Sequence, residues 1–218
     1  MEITKELLLS AYMQGIFPMA ESADANDLYW VDPDERGIFP LDKFHVPKKL
    51  ARKIKAEPFD VRINTAFRDV MLKCAEPTDN VDRQNTWING LILDRYCELH
   101  EFGYAHSIEC WQDNKLVGGL YGVSLNGAFC GESMFHDVTD ASKVALTYLV
   151  ARLRVGGYSL LDTQYVTDHL SQFGAIEIPR KDYRSLLKTA LEIDDADFYS
   201  LSEDADGSTI LQSVTQTS

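Results

Sequence analysis

Apolar residues fall at helical spacing from Glu2 to Gln14, with Leu7, Leu8, Ala11 and Tyr12 on one stripe, and Gly15 and Pro18 end that pattern. Residues 15–22 (GIFPMAES) read as a turn. Leu28–Val31 and Gly37–Phe39 read as short strands flanking the turn Asp32-Pro33-Asp34. Pro47 opens a helix, KKLARKIK, with Leu50 and Ile54 four apart. A strand is expected at Phe59–Ile63, a helix at Ala66–Ala75, a polar loop at Glu76–Asn85 and a helix at Ile88–Phe102. Ala105–Gln112 and Lys115–Leu125 form a hairpin across Asp113-Asn114, and Gly127–Glu132 adds a third strand. Ala141–Val155 is a helix closed by Gly156-Gly157. Ser159–Tyr165 reads as a strand, Val166–Phe173 as a short helix and Asp182–Leu191 as a helix. Glu192–Asp206 carries seven acids and no base, so part of it is expected to be mobile. The last residues, STILQSVTQTS, alternate and are expected to form a final strand.

The 218 residues suffice for one large domain or two small ones. No apolar run is long enough to span a bilayer, and no basic-then-apolar leader opens the chain, so a soluble, cytoplasmic protein is expected. Cys74, Cys97, Cys110 and Cys130 form no CxxC pair and read as reduced thiols. The histidines show no HExxH pattern, so no metal is expected. The net charge of −13 argues against a nucleic-acid binder that uses its whole surface. It leaves room for a local basic patch. Lys48, Lys49, Arg52, Lys53 and Lys55 put five cations into eight residues. That face serves either solvation or phosphate binding.

Two segments concentrate the candidate chemistry. FCGESMFHDVTDASK (129–143) sets Glu132 among Phe129, Met134 and Phe135. LLDTQ (160–164) sets Asp162 and Gln164 two apart in a strand, where i and i+2 share a face. Three polar groups aimed into an apolar cavity suit a small hydrophobic ligand with a reacting carbonyl; a satisfied polar cluster in a core is the plainer alternative.

A helix, an antiparallel meander, then helix, strand, helix and strand is the order of an N-acetyltransferase-like (GNAT-like) fold. Such folds cradle a CoA pyrophosphate on a glycine-rich loop at a helix N-terminus. Between Cys130 and Lys143 that loop is absent. Gly118, Gly119 and Gly122 lie within a strand instead, where close packing or a bulge is their plain role. An acyl group must then come from another carrier.

The segments LLLSAYMQGIFPM, LYWVDPDERGIFP, YAHSIE, GESMF, ASK and HLSQFGAIEIPRKDY, spread from Leu7 to Leu187, closely resemble the leucyl/phenylalanyl-tRNA–protein transferase family. The resemblance implies a bacterial cytoplasmic aminoacyltransferase, expected as a monomer without cofactor. It implies movement of Leu, Phe or sometimes Met from aminoacyl-tRNA to proteins with N-terminal Arg or Lys, which marks them for proteolysis. It implies an α+β fold: a small N-terminal domain (1–58) and a GNAT-like domain (59–218) with a mostly antiparallel sheet. Many members carry a further GGDL-type segment ahead of the first helix, where this sequence opens. Carried over, the catalytic pair falls on Asp162 and Gln164, and the positioning glutamate on Glu132. The side-chain pocket falls on Trp87, Phe129, Met134, Leu146 and Leu161, with Tyr96 and Trp30 near the tRNA end or pocket mouth. The basic helix becomes the candidate site for the tRNA acceptor stem. Asp162 is expected to polarise the Gln164 side chain or to act directly as a base. The rival readings are an acyl-CoA-dependent acyltransferase and a non-enzymatic adaptor for tRNA or protein N-termini.

Overall fold

Strands from opposite ends of the chain complete one sheet. The computed structural model describes residues 3–25, 27–77 and 86–215. α1 (Lys5–Met13) leads into β1 (Phe17–Met19), which pairs antiparallel with β2 (Tyr29–Val31). There follow β3 (Glu35–Phe39), α2 (Lys48–Lys55), β4 (Asp60–Ile63), α3 (Phe67–Ala75) and α4 (Gly90–Glu101). β5 (Ala105–Gln112), β6 (Lys115–Leu125) and β7 (Ala128–His136) form the meander. Asp113 and Asn114, at φ 50° and 58°, make its first turn in the left-handed conformation that hairpins need. The chain then runs through α5 (Ala141–Val155), β8 (Leu160–Gln164), α6 (Asp168–Ser171), β9 (Ile176–Pro179), α7 (Arg180–Leu191) and α8 (Gly207–Thr215).

The main sheet has the order β4-β5-β6-β7-β8-β3-β9. It is mixed: β7 and β8 run parallel, and the other neighbours are antiparallel. α5 lies on one face, between the sheet and α8, so it is apolar on nearly every side. Gly118 lets it approach, since a Cβ there would collide with Ala141. α3 and α4 cover the other face, where Tyr96 and Leu99 meet Phe67, Met71 and Tyr121.

Two details of the sheet create the site. β7 and β8 pair only from Ala128↔Leu160 to Cys130↔Asp162, and beyond that the strands part. β7 also carries a bulge: Gly131 faces Gly122 and Ser133 faces Tyr121, which leaves Glu132 as the extra residue.

Several expectations are corrected. Residues 15–22 are not all turn, because Phe17–Met19 is a strand. β2 and β3 do not pair across residues 32–34; β2 joins β1, and β3 lies between β8 and β9. A division at residue 58 therefore does not follow the sheet, which takes in β3. The final segment is a helix, not a strand, with Ile210, Leu211 and Val214 facing the core. Asp206 starts it by accepting from Thr209 N at 2.7 Å. The acidic segment 192–206 is not loose: Phe198 and Leu201 are buried, and Arg152 Nη1 donates to both their carbonyls at 2.8 Å. The loop expected at 76–85 lies mostly outside the described residues. No helix among the described residues is long and apolar enough to cross a membrane.

Candidate active site

A cavity of about 660 Å³ opens where β7 and β8 part. Its apolar wall includes Leu120, Met134, Leu146, Leu149 and Leu161, and Glu132 and Gln164 stand in the same lining. The size suits a ligand as large as an aminoacyl ester. Of the expected pocket residues, Met134, Leu146 and Leu161 line this cavity. Phe129 lies instead in the core, stacked on Phe198 at 5.8 Å. Trp87 packs against the cluster around α3 and α4, and Trp30 is exposed on the small β1–β2 sheet. Leu120 and Leu149 were missed, because in sequence they look like any core leucine.

Glu132 is held from three sides. Tyr12 Oη donates to its Oε1 at 2.7 Å, and Gln164 Nε2 donates to the same oxygen at 3.1 Å. Tyr96 Oη approaches Oε2 at 3.5 Å, and the Tyr12 and Tyr96 hydroxyls are themselves hydrogen-bonded. Tyr96 is thus a support of Glu132 and not part of the cavity lining. Burial pushes the Glu132 carboxyl up to about 7, against the pull of the Tyr12 and Gln164 hydrogen bonds. Burial, and then the Glu132 charge, raise the Tyr12 and Tyr96 phenols as well, so both stay protonated donors. Tyr12 was legible only as one member of the α1 apolar stripe.

Asp162 is placed differently from the sequence expectation. Its side chain is fully buried, and four donors converge on its two oxygens. Arg36 Nε and Gln164 N reach Oδ1 at 2.9 and 2.8 Å; Arg36 Nη2 and Tyr183 Oη reach Oδ2 at 2.6 and 2.8 Å. Four donors match the four lone-pair directions of a carboxylate. Asp162 therefore grips the backbone N–H of Gln164, while the Gln164 side chain turns to Glu132. Gln164 itself sits at φ 64°, a left-handed conformation uncommon outside glycine. Arg36 is 1% exposed, lies between the rings of Phe17 and Tyr183 at 4.5 and 4.6 Å, and donates to Gly15 O at 3.1 Å. Burial is the largest single influence and opposes its charge, but the Asp162 hydrogen bonds and the Asp162 charge together outweigh it and raise the guanidinium further. No pattern in the sequence singled out Arg36, which stands just after the Asp32-Pro33-Asp34 turn.

The YAHSIE segment, so prominent in sequence, lies elsewhere. Glu109 is fully buried and accepts from Ala66 N at 2.8 Å, Ser107 Oγ at 2.8 Å and Trp111 Nε1 at 3.1 Å, with a further bond from the Thr65 hydroxyl. It stitches the start of α3 to β5. His106 stacks on Phe198 at 4.0 Å, and burial lowers it to about 4, so it is neutral near pH 7.

On α2, Lys48, Lys49, Arg52 and Lys55 are exposed, as a charged surface requires, whereas Lys53 turns toward the start of α5. Among the described residues no group of three His, Cys, Asp or Glu side chains is arranged to hold a metal.

Fold and site together define an α/β protein with an apolar slot that ends on a hydrogen-bonded carboxylate and amide. The sequence comparisons narrow this. A family model described as "Leucyl/phenylalanyl-tRNA protein transferase" matches residues 38–188, and a second, for the N-terminal domain of the same family, matches residues 1–34. The chain belongs to the leucyl/phenylalanyl-tRNA–protein transferase family. It is 54% identical over 216 residues to the leucyl/phenylalanyl-tRNA–protein transferase of Phenylobacterium zucineum, covering 97% of this chain and 96% of that one. It is 60% identical over 191 residues to the protein of that name from Nitrobacter winogradskyi, covering 88% and 84%. With the one from Paramagnetospirillum magneticum it shares 59% identity over 189 residues, covering 87% and 90%.

Proposed function

We propose that this site moves Leu, Phe and, less well, Met from aminoacyl-tRNA to the α-amine of proteins beginning with Arg or Lys, making a cytoplasmic signal for proteolysis. The observation that carries the reading is the Glu132–Gln164 hydrogen bond where a parted strand pair opens on an apolar slot. That parting, beside an antiparallel meander, is also why we read the fold as GNAT-like.

In this reading the donor side chain enters the slot between Met134, Leu146 and Leu161. Unbranched Cβ positions fit, and one misplaced methyl costs about 1–3 kcal/mol. The cationic α-amino group of the donor meets Glu132, which it draws into the ionised form. The Gln164 amide nitrogen is committed to Glu132, so its carbonyl oxygen is free to accept from the incoming amine. The neutral amine attacks the ester carbonyl, a C–N bond forms, and the C–O bond to the ribose breaks. One amine proton ends on the ribose hydroxyl. Because the donor is already an activated ester, the step needs no ATP. Asp162 acts as a positioning residue: saturated by Arg36 and Tyr183, it fixes the backbone of Gln164. The exposed cations of α2 receive the acceptor stem.

The test is transfer of labelled leucine from Leu-tRNA to a peptide beginning with Arg, beside the same peptide beginning with Ala. Transfer to the Arg peptide alone supports the reading. No transfer by folded protein rejects it, and equal transfer to both rejects the acceptor rule.

A further inference from the structure

Two groups of cations that are far apart in sequence meet at one carboxylate. Lys53, on α2, donates to Thr139 O at 2.6 Å and to Asp140 Oδ2 at 3.2 Å. Lys143, in the first turn of α5, donates to Asp140 Oδ1 at 2.9 Å. Asp140 stands just before α5 at φ 72°, and its carboxylate does not cap that helix. It is spent on the two lysines. Lys143 first, and then Lys53, hold it below the usual carboxylate range despite its partial burial. Two lysines on one carboxylate leave a net charge of +1.

Lys143 also lines the cavity, and it is the one lysine or arginine among the described lining residues. Beside it in the lining stand Ser142, His136 and His169. The Ser142 hydroxyl lies 3.4 Å from His136 Nδ1. Burial, and then the nearby Lys143 and His136, lower His169, so it is an uncharged imidazole near pH 7 with one N–H to offer. The same cavity reaches Glu132 and Gln164. A continuous run of cationic and hydrogen-bonding groups thus leads from exposed α2, over Asp140, into the wall of the reaction cavity.

We propose that Lys143, with Ser142, His136 and His169, is a phosphodiester subsite for the single-stranded 3′ end of the donor RNA, continuous with α2. This rests on the transfer reading, which puts the donor ester at Gln164 and its side chain in the apolar slot. The sugar and its 5′ phosphate must then lie along the remaining, polar wall. Asp140 is the hinge of the track: it aims Lys143 into the cavity and ties it to the helix that holds the stem. The charge of Lys143 pairs with one phosphate, and the neutral His169 imidazole adds a hydrogen bond without charge.

The experiment measures binding of Phe-tRNA by anisotropy at 50 and 200 mM KCl for the parent, Lys143→Ala, Lys143→Gln and Lys143→Arg. One neutralised phosphate on a single strand accounts for about 0.7 in the slope of log K against log salt, so the parent should lose about 2.6-fold more affinity over this range than the Ala or Gln variant. Lys143→Arg should keep the parent slope. The phenylalanyl ester of adenosine, which has no phosphate, should compete with Phe-tRNA equally well on parent and variants. A parent-like slope in both Lys143→Ala and Lys143→Gln overturns the proposal. So does equal weakening of the adenosine ester and of Phe-tRNA, which makes Lys143 a residue that shapes the pocket. Because binding does not need turnover, a Lys143-dependent slope without transfer would sink the transfer reading and leave the phosphate subsite standing.

Discussion

Glu132→Gln should stabilise the protein at pH 8 relative to pH 5, although it removes a residue of the site. In the folded chain the Glu132 carboxyl is raised from 4.5 to about 7, chiefly by burial. The folded state therefore holds a proton that the unfolded state has already released. The contribution of this group to stability is greatest below pH 4.5 and is lost as pH rises through the window from 4.5 to 7. A shift of that size corresponds to about 3 kcal/mol, of which about 2.5 kcal/mol falls between pH 5 and pH 8. This is a ceiling, because the carboxyl faces the cavity on one side. A glutamine has no charge to bury. It gives up at most one of the hydrogen bonds from Tyr12, Tyr96 or Gln164, about 1 kcal/mol at either pH. The difference between the two pH values therefore isolates the ionisation cost. Urea unfolding of both proteins, followed by tryptophan fluorescence, measures it. The variant should gain up to about 2.5 kcal/mol on the parent between pH 5 and pH 8, while its transfer activity falls. A stability difference that does not change with pH, or one that turns against the variant at pH 8, would refute the claim that the site holds a costly carboxylate.

Three further outcomes are expected. Asp162→Ala leaves Arg36 buried without its partner and should cost about 3–5 kcal/mol in urea unfolding; the double variant Arg36→Met, Asp162→Leu should recover much of that stability without recovering transfer. Leu146→Ala, at a buried wall of the slot, should destabilise by about 2–5 kcal/mol and relax the choice of donor, read by comparing transfer of leucine with that of bulkier tryptophan. Reversing Lys48 and Lys49 to Glu should weaken many tRNAs alike and flatten the salt dependence of binding, by about 0.9 in slope for each duplex phosphate that the helix no longer neutralises.

The regular elements were legible because their apolar spacing is local: the α1 stripe, the hairpin at Asp113-Asn114 and the α5 run each announce themselves within a dozen residues. The C-terminal helix was misread because Thr, Ile and Val suit strands, although Asp206 supplied a cap signal three residues before Thr209. β1 was hidden because Pro18 lies within it and Gly15 stands just before it. The acidic segment looked mobile because its charges mask Phe198 and Leu201, which are held in place by residues distant in sequence: Arg152 on α5 and, for Phe198, also His106 and Phe129. The site was half legible. Glu132 and Gln164 stood out as polar residues in apolar runs, and the resemblance pointed to them. Their surroundings could not be read, since Tyr12 and Arg36 act on residues 120 and 126 positions away, and no local pattern encodes such contacts. The division of labour within the Asp162–Gln164 pair was equally hidden. A spacing of two places residues near one another but does not say that one carboxylate is already filled by an arginine and a tyrosine.

The central claim is that chemistry occurs at the Gln164 carbonyl, in the gap between β7 and β8. Its most direct test is the single-turnover rate of leucine transfer to an Arg-initiated peptide by Gln164→Ala, with donor affinity measured alongside. The rate should fall by about 10²–10⁴, the range for a group positioned by hydrogen bonding on the reacting proton, while Leu-tRNA binds within twofold of the parent. An unchanged rate in a folded variant would contradict the account and move the reaction to another group.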